Sequence, residues 1–358
     1  MARLKRKKNR PAYINPKQRD NNSSNIASSA DDTEDTSLER RSRGLIDKLI
    51  LLTVEQIHFS DVEALADRLG ARTEVTRLPE LGWTFRVLGP NEERVCFHMW
   101  GKDKPSSRKV MVNPSDFRDY AHMKSFLIGL IGRNEYESAD NVRTDFAVDI
   151  PDNFDVLKKF VYATRKNFCR AYYNNGEHLN GLQIGRSPEV VSVYDKAKKE
   201  KIPGPLTRLE VQLTGKNNPI KFLTQLPDLI ERQEWGYYKP FRKIGLEGLN
   251  FTSLSEVKLR SELIRCVQAQ TLSNELGGHL ARKKVNANGK FQRDFSKYVQ
   301  AVPYPVDLDK VWFRDMCSFF GKPERAVAAL SFWDDDPYVG YDGEQDSGSQ
   351  SADNEVQQ

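Results

Sequence analysis

The sequence predicts an α+β fold: a curved antiparallel sheet made of two β-α-β-β-β repeats with helices on one side, then a C-terminal helical region, with disordered tails at both ends. Three observations predict it. Short stretches spread over residues 45–213 alternate apolar and polar side chains, the period of a strand with one buried face. The order of these stretches repeats, and each set opens on a strand running into a similar helix start: His58-Phe59-Ser60-Asp61-Val62 in one, Asn153-Phe154-Asp155-Val156 in the other. The chain of 358 residues is 38% apolar and 10% aromatic, enough to bury a sizeable core in one large domain or two ordinary ones. The expected divisions are a basic arm and linker at 1–43, a duplicated α+β domain at 44–220, a helical region at 221–332 and an acidic tail at 333–358.

Residues 1–43 carry a basic cluster and then an Asn-, Ser- and Asp-rich stretch with almost nothing to bury, so disorder is expected there. Leu45–Thr53 reads as a buried strand interrupted by Asp47 and Lys48. Ser60, with Glu63 three residues on, has the pattern of a capping box, which predicts a helix running to Leu69 and stopped by Gly70. Strands are expected at 72–78, 82–88, 93–100 and 109–112, with Gly89-Pro90-Asn91 as a turn, and an apolar helix at 122–132. The second set runs from a strand at 142–150 through a helix reaching about Asn167 to strands at 179–184, 190–196 and 206–213. In the first set Phe97–Lys102 takes the slot of Val193–Lys196, and Arg108–Val112 that of Thr207–Val211. Beyond 220 the pattern changes: Phe222–Glu231 and Ser255–Leu272 read as amphipathic helices, with 274–284 as an extension of the second. Residues 235–243 form an aromatic, basic loop, 281–297 are basic, and 306–330 are helical.

The net charge of +5 hides an asymmetry. Residues 1–43 sum to about +5, and from Asp334 onward there are about eight acids and no Lys or Arg, which leaves about +8 in between. A basic body with a more basic arm points to a polyanionic partner, and such an arm can follow phosphates without sequence preference. Cys96, Cys169, Cys266 and Cys317 are scattered, with no Cys-x-x-Cys pair, which argues against zinc or a disulfide framework and for a reducing compartment. No apolar run approaches a membrane span, and the basic N-terminus leads into no apolar segment. A soluble, cytoplasmic protein with no membrane partner is the expectation.

The chemistry concentrates in 141–214. Arg143, Asp145, Ala147 and Asp149 share one face of the first strand, and Val142, Phe146, Val148 and Ile150 the other. Tyr194 shares a face with Ser192 and Lys196. Arg208, Glu210 and Gln212 lie opposite Leu209, Val211 and Leu213. One face is thus apolar, while the other gathers three carboxylates, two arginines, a lysine and a tyrosine. The solvated face of an antiparallel sheet alternates in the same way, and a sheet tyrosine is more often packed than nucleophilic. Against that reading, Asp is a poor strand former and recurs twice in five residues, which calls for a counter-charge, a metal ion or free water. Carboxylates from two strands can hold one divalent cation through oxygen, which suits Mg2+ or Mn2+. A neighbouring tyrosine can attack phosphorus and become covalently attached, with Arg143, Arg208 and Lys196 neutralising the phosphates.

Arg-Thr-Asp-Phe-Ala-Val-Asp at 143–149, Leu-Gln-Ile-Gly-Arg-Ser at 182–187, Val-Ser-Val-Tyr-Asp-Lys-Ala-Lys-Lys-Glu at 191–200 and Thr-Arg-Leu-Glu-Val-Gln-Leu at 207–213 stand in an order and spacing that resemble the Rep_trans family. The resemblance covers about 45–220 and is clearest over 141–214. That family comprises rolling-circle replication initiators of plasmids and filamentous phages, with related relaxases of integrative elements. The resemblance implies an endonuclease that nicks one strand at a specific origin, becomes linked to the 5′ phosphate and later rejoins the strand. It implies Tyr194 as the nucleophile, Asp145, Asp149 and Glu210 as the metal site, and Lys196 as a matching basic position. The expected partners are origin DNA with a single-stranded nick site, a host replicative or repair-type helicase, and a second copy in a homodimer. Candidate DNA contacts are Arg3, Lys5, Arg6, Lys7, Lys8, Arg186, Lys283 and Lys284. The long tails and the helical region after 255 depart from shorter members. A conjugative relaxase shares the same chemistry, and a non-catalytic DNA-binding regulator on the same sheet is the alternative of another class. Nickases that hold their metal with a His-hydrophobic-His strand are disfavoured, since no two of His58, His98, His122, His178 and His279 stand two apart.

Overall fold

The structure, a computed structural model, describes residues 38–78, 82–100, 105–163, 169–174, 178–234, 239–251, 277–278 and 299–326. Its architecture is α+β. A short helix α1 (Leu38–Arg41) leads into β1 (Arg43–His58), α2 (Phe59–Arg68) and the strands β2 (Arg72–Leu78), β3 (Gly82–Leu88), β4 (Arg94–Met99) and β5 (Ser106–Val112). Two helices, α3 (Tyr120–Ile131) and α4 (Arg133–Ser138), precede β6 (Asp140–Ile150), α5 (Phe154–Leu157) and β7 (Val161–Ala163). Then come β8 (Cys169–Asn174), β9 (His178–Arg186), β10 (Glu189–Asp195), α6 (Lys196–Glu200) and β11 (Thr207–Thr214). The described elements end with α7 (Asp228–Glu234), β12 (Ile244–Phe251), β13 (Val299–Pro303) and α8 (Leu308–Phe319).

Ten strands make one antiparallel sheet in the order β2-β3-β4-β5-β1-β6-β11-β10-β9-β8. The order reads alike outward from the central β1–β6 pair. Each half runs strand, helix, then four sheet strands: the first half has the four expected at 72–78, 82–88, 93–100 and 109–112, the second adds β8 to the three expected, and the β-α-β-β-β unit is one strand short. Strand β7 lies outside this sheet and joins β12 and β13 in a three-stranded one.

Alternation fixes which face is buried. Phe146, Val148 and Ile150 of β6, Val191 and Val193 of β10, and Leu209, Val211 and Leu213 of β11 are buried together. Val62 and Ala66 of α2, Met123 and Leu127 of α3, and Trp312 and Phe313 of α8 join the same core. Val142, expected on the core face, is not in it. Ile50 pairs with Arg143 and Leu51 with Asn141, so Val142 is the extra residue of a bulge.

Helix α8 docks on the centre of the sheet. The Trp312 indole meets Phe146 edge to face at 5.2 Å and donates to the Leu45 carbonyl at 3.1 Å. Gly44 permits this approach, since a Cβ there would lie 2.4 Å from the Trp312 Cα. Through these contacts α8 ties described residues beyond 220 to the central strands β1 and β6.

Three expectations need local correction. The helix from Asn153 stops at Leu157, because the β-prone Val161–Ala163 stretch is taken by β12. Pro227, which has no N–H to donate, splits the helix expected at Phe222–Glu231 into a 3-10 turn at Leu223–Gln225 and α7. Helix α2 starts two residues early, with His58 as N-cap, so Ser60 caps nothing and its hydroxyl meets Asp61. The helix expected at Ser255–Leu272, nearly all of 274–284, residues 235–238 of the loop, the basic run at 281–297, and residues 1–37 and 327–358 fall outside the described residues, whereas 38–43, expected to be disordered, form α1 and the start of β1. Among the described residues, no helix is long and apolar enough to cross a membrane.

Candidate active site

The polar face of the sheet is organised by three central strands. In β1, Ile46 pairs with Phe146 and Lys48 with Asp145, so Asp47 is an extra residue, and the bulge re-aims its side chain. Asp145 comes from β6 and Glu210 from β11, where Glu210 faces the small Ala147 across the strands. Asp47, Asp145 and Glu210 each offer one oxygen, and the three oxygens lie within 4.8 Å of one another. These are hard oxygen donors, the kind that hard cations take. The group of acidic residues could hold a metal ion.

Two of the three acids are ion-paired, Asp145 with Arg143 and Asp47 with Arg208. Asp145 is fully buried, and Arg143 grips it from both sides, Nε to Oδ1 at 2.7 Å and Nη2 to Oδ2 at 2.5 Å. Burial still pushes the Asp145 carboxyl above its ordinary range, against the pull of Arg143. Burial also raises Glu210, and the charges of Asp145 and Asp47 raise it further. Crowded carboxyls that resist ionising together are a mark of functional sites.

Tyr194, on β10, donates its hydroxyl to Glu210 Oε2 at 3.2 Å. The Lys199 ammonium stands 4.3 Å from its ring centre. Burial, then the Glu210 charge, pushes the phenol well above its usual range. The hydroxyl is therefore held as a donor, and Glu210 is the group that would receive its proton.

Asp149, expected among the metal ligands, lies outside the cluster. The register sets Arg208 opposite Asp149, and the guanidinium binds both carboxylate oxygens, Nε to Oδ1 at 2.5 Å and Nη2 to Oδ2 at 2.7 Å. Lys196 adds a contact at 2.8 Å. Burial would raise the Asp149 carboxyl, but Arg208 and then Lys196 outweigh it and hold it below the ordinary range. Arg208 also binds Asp47 through Nη1 and is buried. In this position it bridges two acids.

No protein-family model matches the chain, and no curated protein matches it.

The structure thus brings Asp145, Glu210, Tyr194 and Arg143 together, and sets Asp149, Arg208 and Lys196 beside them as an ion-paired support. Of the candidate DNA contacts, Arg186 ends β9 with an exposed side chain, while Arg3, Lys5, Arg6, Lys7, Lys8, Lys283 and Lys284 fall outside the described residues. Asp47 was not singled out as a site residue by sequence reasoning. Its signal was present: Asp47 and Lys48 interrupt an otherwise apolar strand.

Proposed function

We propose that this protein is a metal-dependent DNA-nicking and strand-transfer enzyme with Tyr194 as nucleophile, which starts rolling-circle replication at a specific origin. The observation that carries the reading is the Tyr194 hydroxyl, 3.2 Å from Glu210, at the edge of the three-carboxylate cluster. A divalent cation held by Asp47, Asp145 and Glu210 would polarise the scissile phosphodiester.

The chain's own groups supply the rest. Tyr194 Oη attacks phosphorus and forms the bond to the 5′ phosphate, and the 3′ oxygen leaves. Glu210, which already accepts the phenolic O–H at 3.2 Å, takes the phenolic proton, and the departing 3′ oxygen takes one from solvent. The freed 3′ hydroxyl primes synthesis, and later attack by a 3′ hydroxyl on the phosphotyrosine rejoins the strand. Asp149, Arg208 and Lys196 keep Asp47 and the end of β10 in place.

The mirrored strand order supports reading 44–220 as two repeats of one unit, with the chemistry in the second and Asp47 lent by the first strand. The Rep_trans resemblance of 141–214 supports the replication role, with origin DNA, a host helicase and a second copy as partners in the cytoplasm. A supercoiled plasmid carrying the element's own origin tests the reading. It should be nicked in Mg2+ or Mn2+ with protein left on the 5′ end, and not by Tyr194→Phe. Nicking that survives Tyr194→Phe or excess chelator would overturn it.

A further inference from the structure

Arg143 occupies an unusual position. Its guanidinium takes both oxygens of Asp145, one of the three acids of the cluster. The fork takes two of the carboxylate's roughly four lone-pair sites, and its positive charge stands against the oxygens that a cation shared with Asp47 and Glu210 would approach. The contrast with Arg208 is instructive. Arg208 is buried and tied to Asp149 and Asp47 at once. Arg143 is 26% exposed, and among the described residues no acid other than Asp145 is ion-paired with it. Its guanidinium is partly exposed, and both of its hydrogen bonds go to that one acid.

We propose that Arg143 is the internal counter-ion of the carboxylate cluster: it holds Asp145 while the cluster has no cation, a divalent cation displaces it from at least one Asp145 oxygen, and the released guanidinium then binds a phosphate of the single strand. The proposal rests on the metal-site reading above. It explains how a fully buried aspartate is tolerated before the ion arrives, since a buried charge without a partner is costly. It also couples loading of the metal to capture of the substrate.

The sign of one effect separates this from a merely structural role. Cation binding must break the Arg143–Asp145 pair and overcome repulsion from the guanidinium. Arg143→Gln removes both costs, so Mn2+ measured at equilibrium by electron paramagnetic resonance on the full chain should bind about tenfold more tightly. Arg143→Lys keeps the charge but not the fork and should fall between the two, which covers a failure of Arg143→Gln to fold. Affinity for oligo(dT) should rise with Mn2+ in the wild type and rise less in Arg143→Gln. Equal or weaker Mn2+ binding in both folded variants would overturn the proposal, as would an equal loss of oligo(dT) affinity with and without Mn2+. Glu210→Gln separates the two levels. If it leaves Mn2+ binding unchanged, the metal-site reading fails, and this proposal with it. If it weakens Mn2+ binding while Arg143→Gln does not tighten it, only the present proposal fails.

Discussion

Asp47 and Asp149 show what one carboxylate's surroundings decide. Asp47 sits with Asp145 and Glu210, whereas Asp149 is enclosed by Arg208 and Lys196. Asp47→Asn should therefore lower nicking by about a hundredfold, as Glu210→Gln should, since each removes a charged oxygen from the same cluster. Asp149→Asn should instead cost about 3 kcal/mol in chemical denaturation, because it leaves Arg208 short of its buried partner, while Mn2+ affinity changes little. A loss of Mn2+ binding in Asp149→Asn without a loss of stability would restore it to the ligand set. The raised carboxyls also set a pH dependence. Asp145 and Glu210 titrate higher in the folded chain than unfolded, so without a cation their contribution to stability is full at acid pH and is lost as pH rises through their folded values. Mn2+ affinity should rise over that same window, as titrations at a series of pH values would show. Asp145, Glu210 and Tyr194 were legible in the sequence because alternation tells which side chains share a face. Alternation does not tell which residue lies opposite which, so the Asp149–Arg208 ion pair could not be read from it. Asp47 was hidden because a bulge breaks the period.

At the scale of elements, most sheet strands were legible because their period of two does not depend on what covers them. The misses lie where a partner decides: Val161–Ala163 is a strand because β12 pairs with it, and β1 extends to Arg43 because β6 runs beside it. The docking of α8 likewise depends on one residue of β1. Gly44→Ala would drive a methyl into the Trp312 backbone and should cost about 3 kcal/mol in chemical denaturation; an unchanged midpoint would mean that α8 does not rest there. The start of α8 carries a second test. Asp309 accepts the Phe241 N–H at 3.0 Å, and burial, with Asp307 nearby, pushes its carboxyl up to about 7 against the pull of the Phe241 N–H and then of Lys239 and Arg242. Its contribution to stability is present below the ordinary carboxylate range and lost as pH rises through about 7. Asp309→Asn keeps an acceptor and avoids the charge, so it should be more stable than the wild type by about 2 kcal/mol at pH near 8 and equal to it at acid pH. Thermal melts across pH decide this, and a variant less stable at every pH would contradict it.

For the whole molecule, charge and connectivity matter more than any one contact. The formal charge of +5 combines a basic arm and body with an acidic tail, and a basic chain that binds DNA through phosphates must lose affinity steeply with salt. Deleting residues 1–19, with about eight Lys and Arg, should weaken binding to all sequences alike and flatten the salt slope; an unchanged slope would show that the arm makes no phosphate contacts. The sheet's central pair joins the two halves of 44–220 at the cluster itself, with Asp47 from one half and Asp145 and Glu210 from the other. That dependence was invisible in the sequence, which placed all the chemistry in 141–214. The central claim is that Tyr194 is the nucleophile beside this shared cluster. Peptide mapping by mass spectrometry, after incubation with origin DNA and Mn2+ and nuclease trimming, tests it most directly. The account predicts a nucleotide linked through phosphate to Tyr194, formed only with the divalent ion. A nucleotide on any other residue, or on Tyr194 in excess chelator, would contradict it.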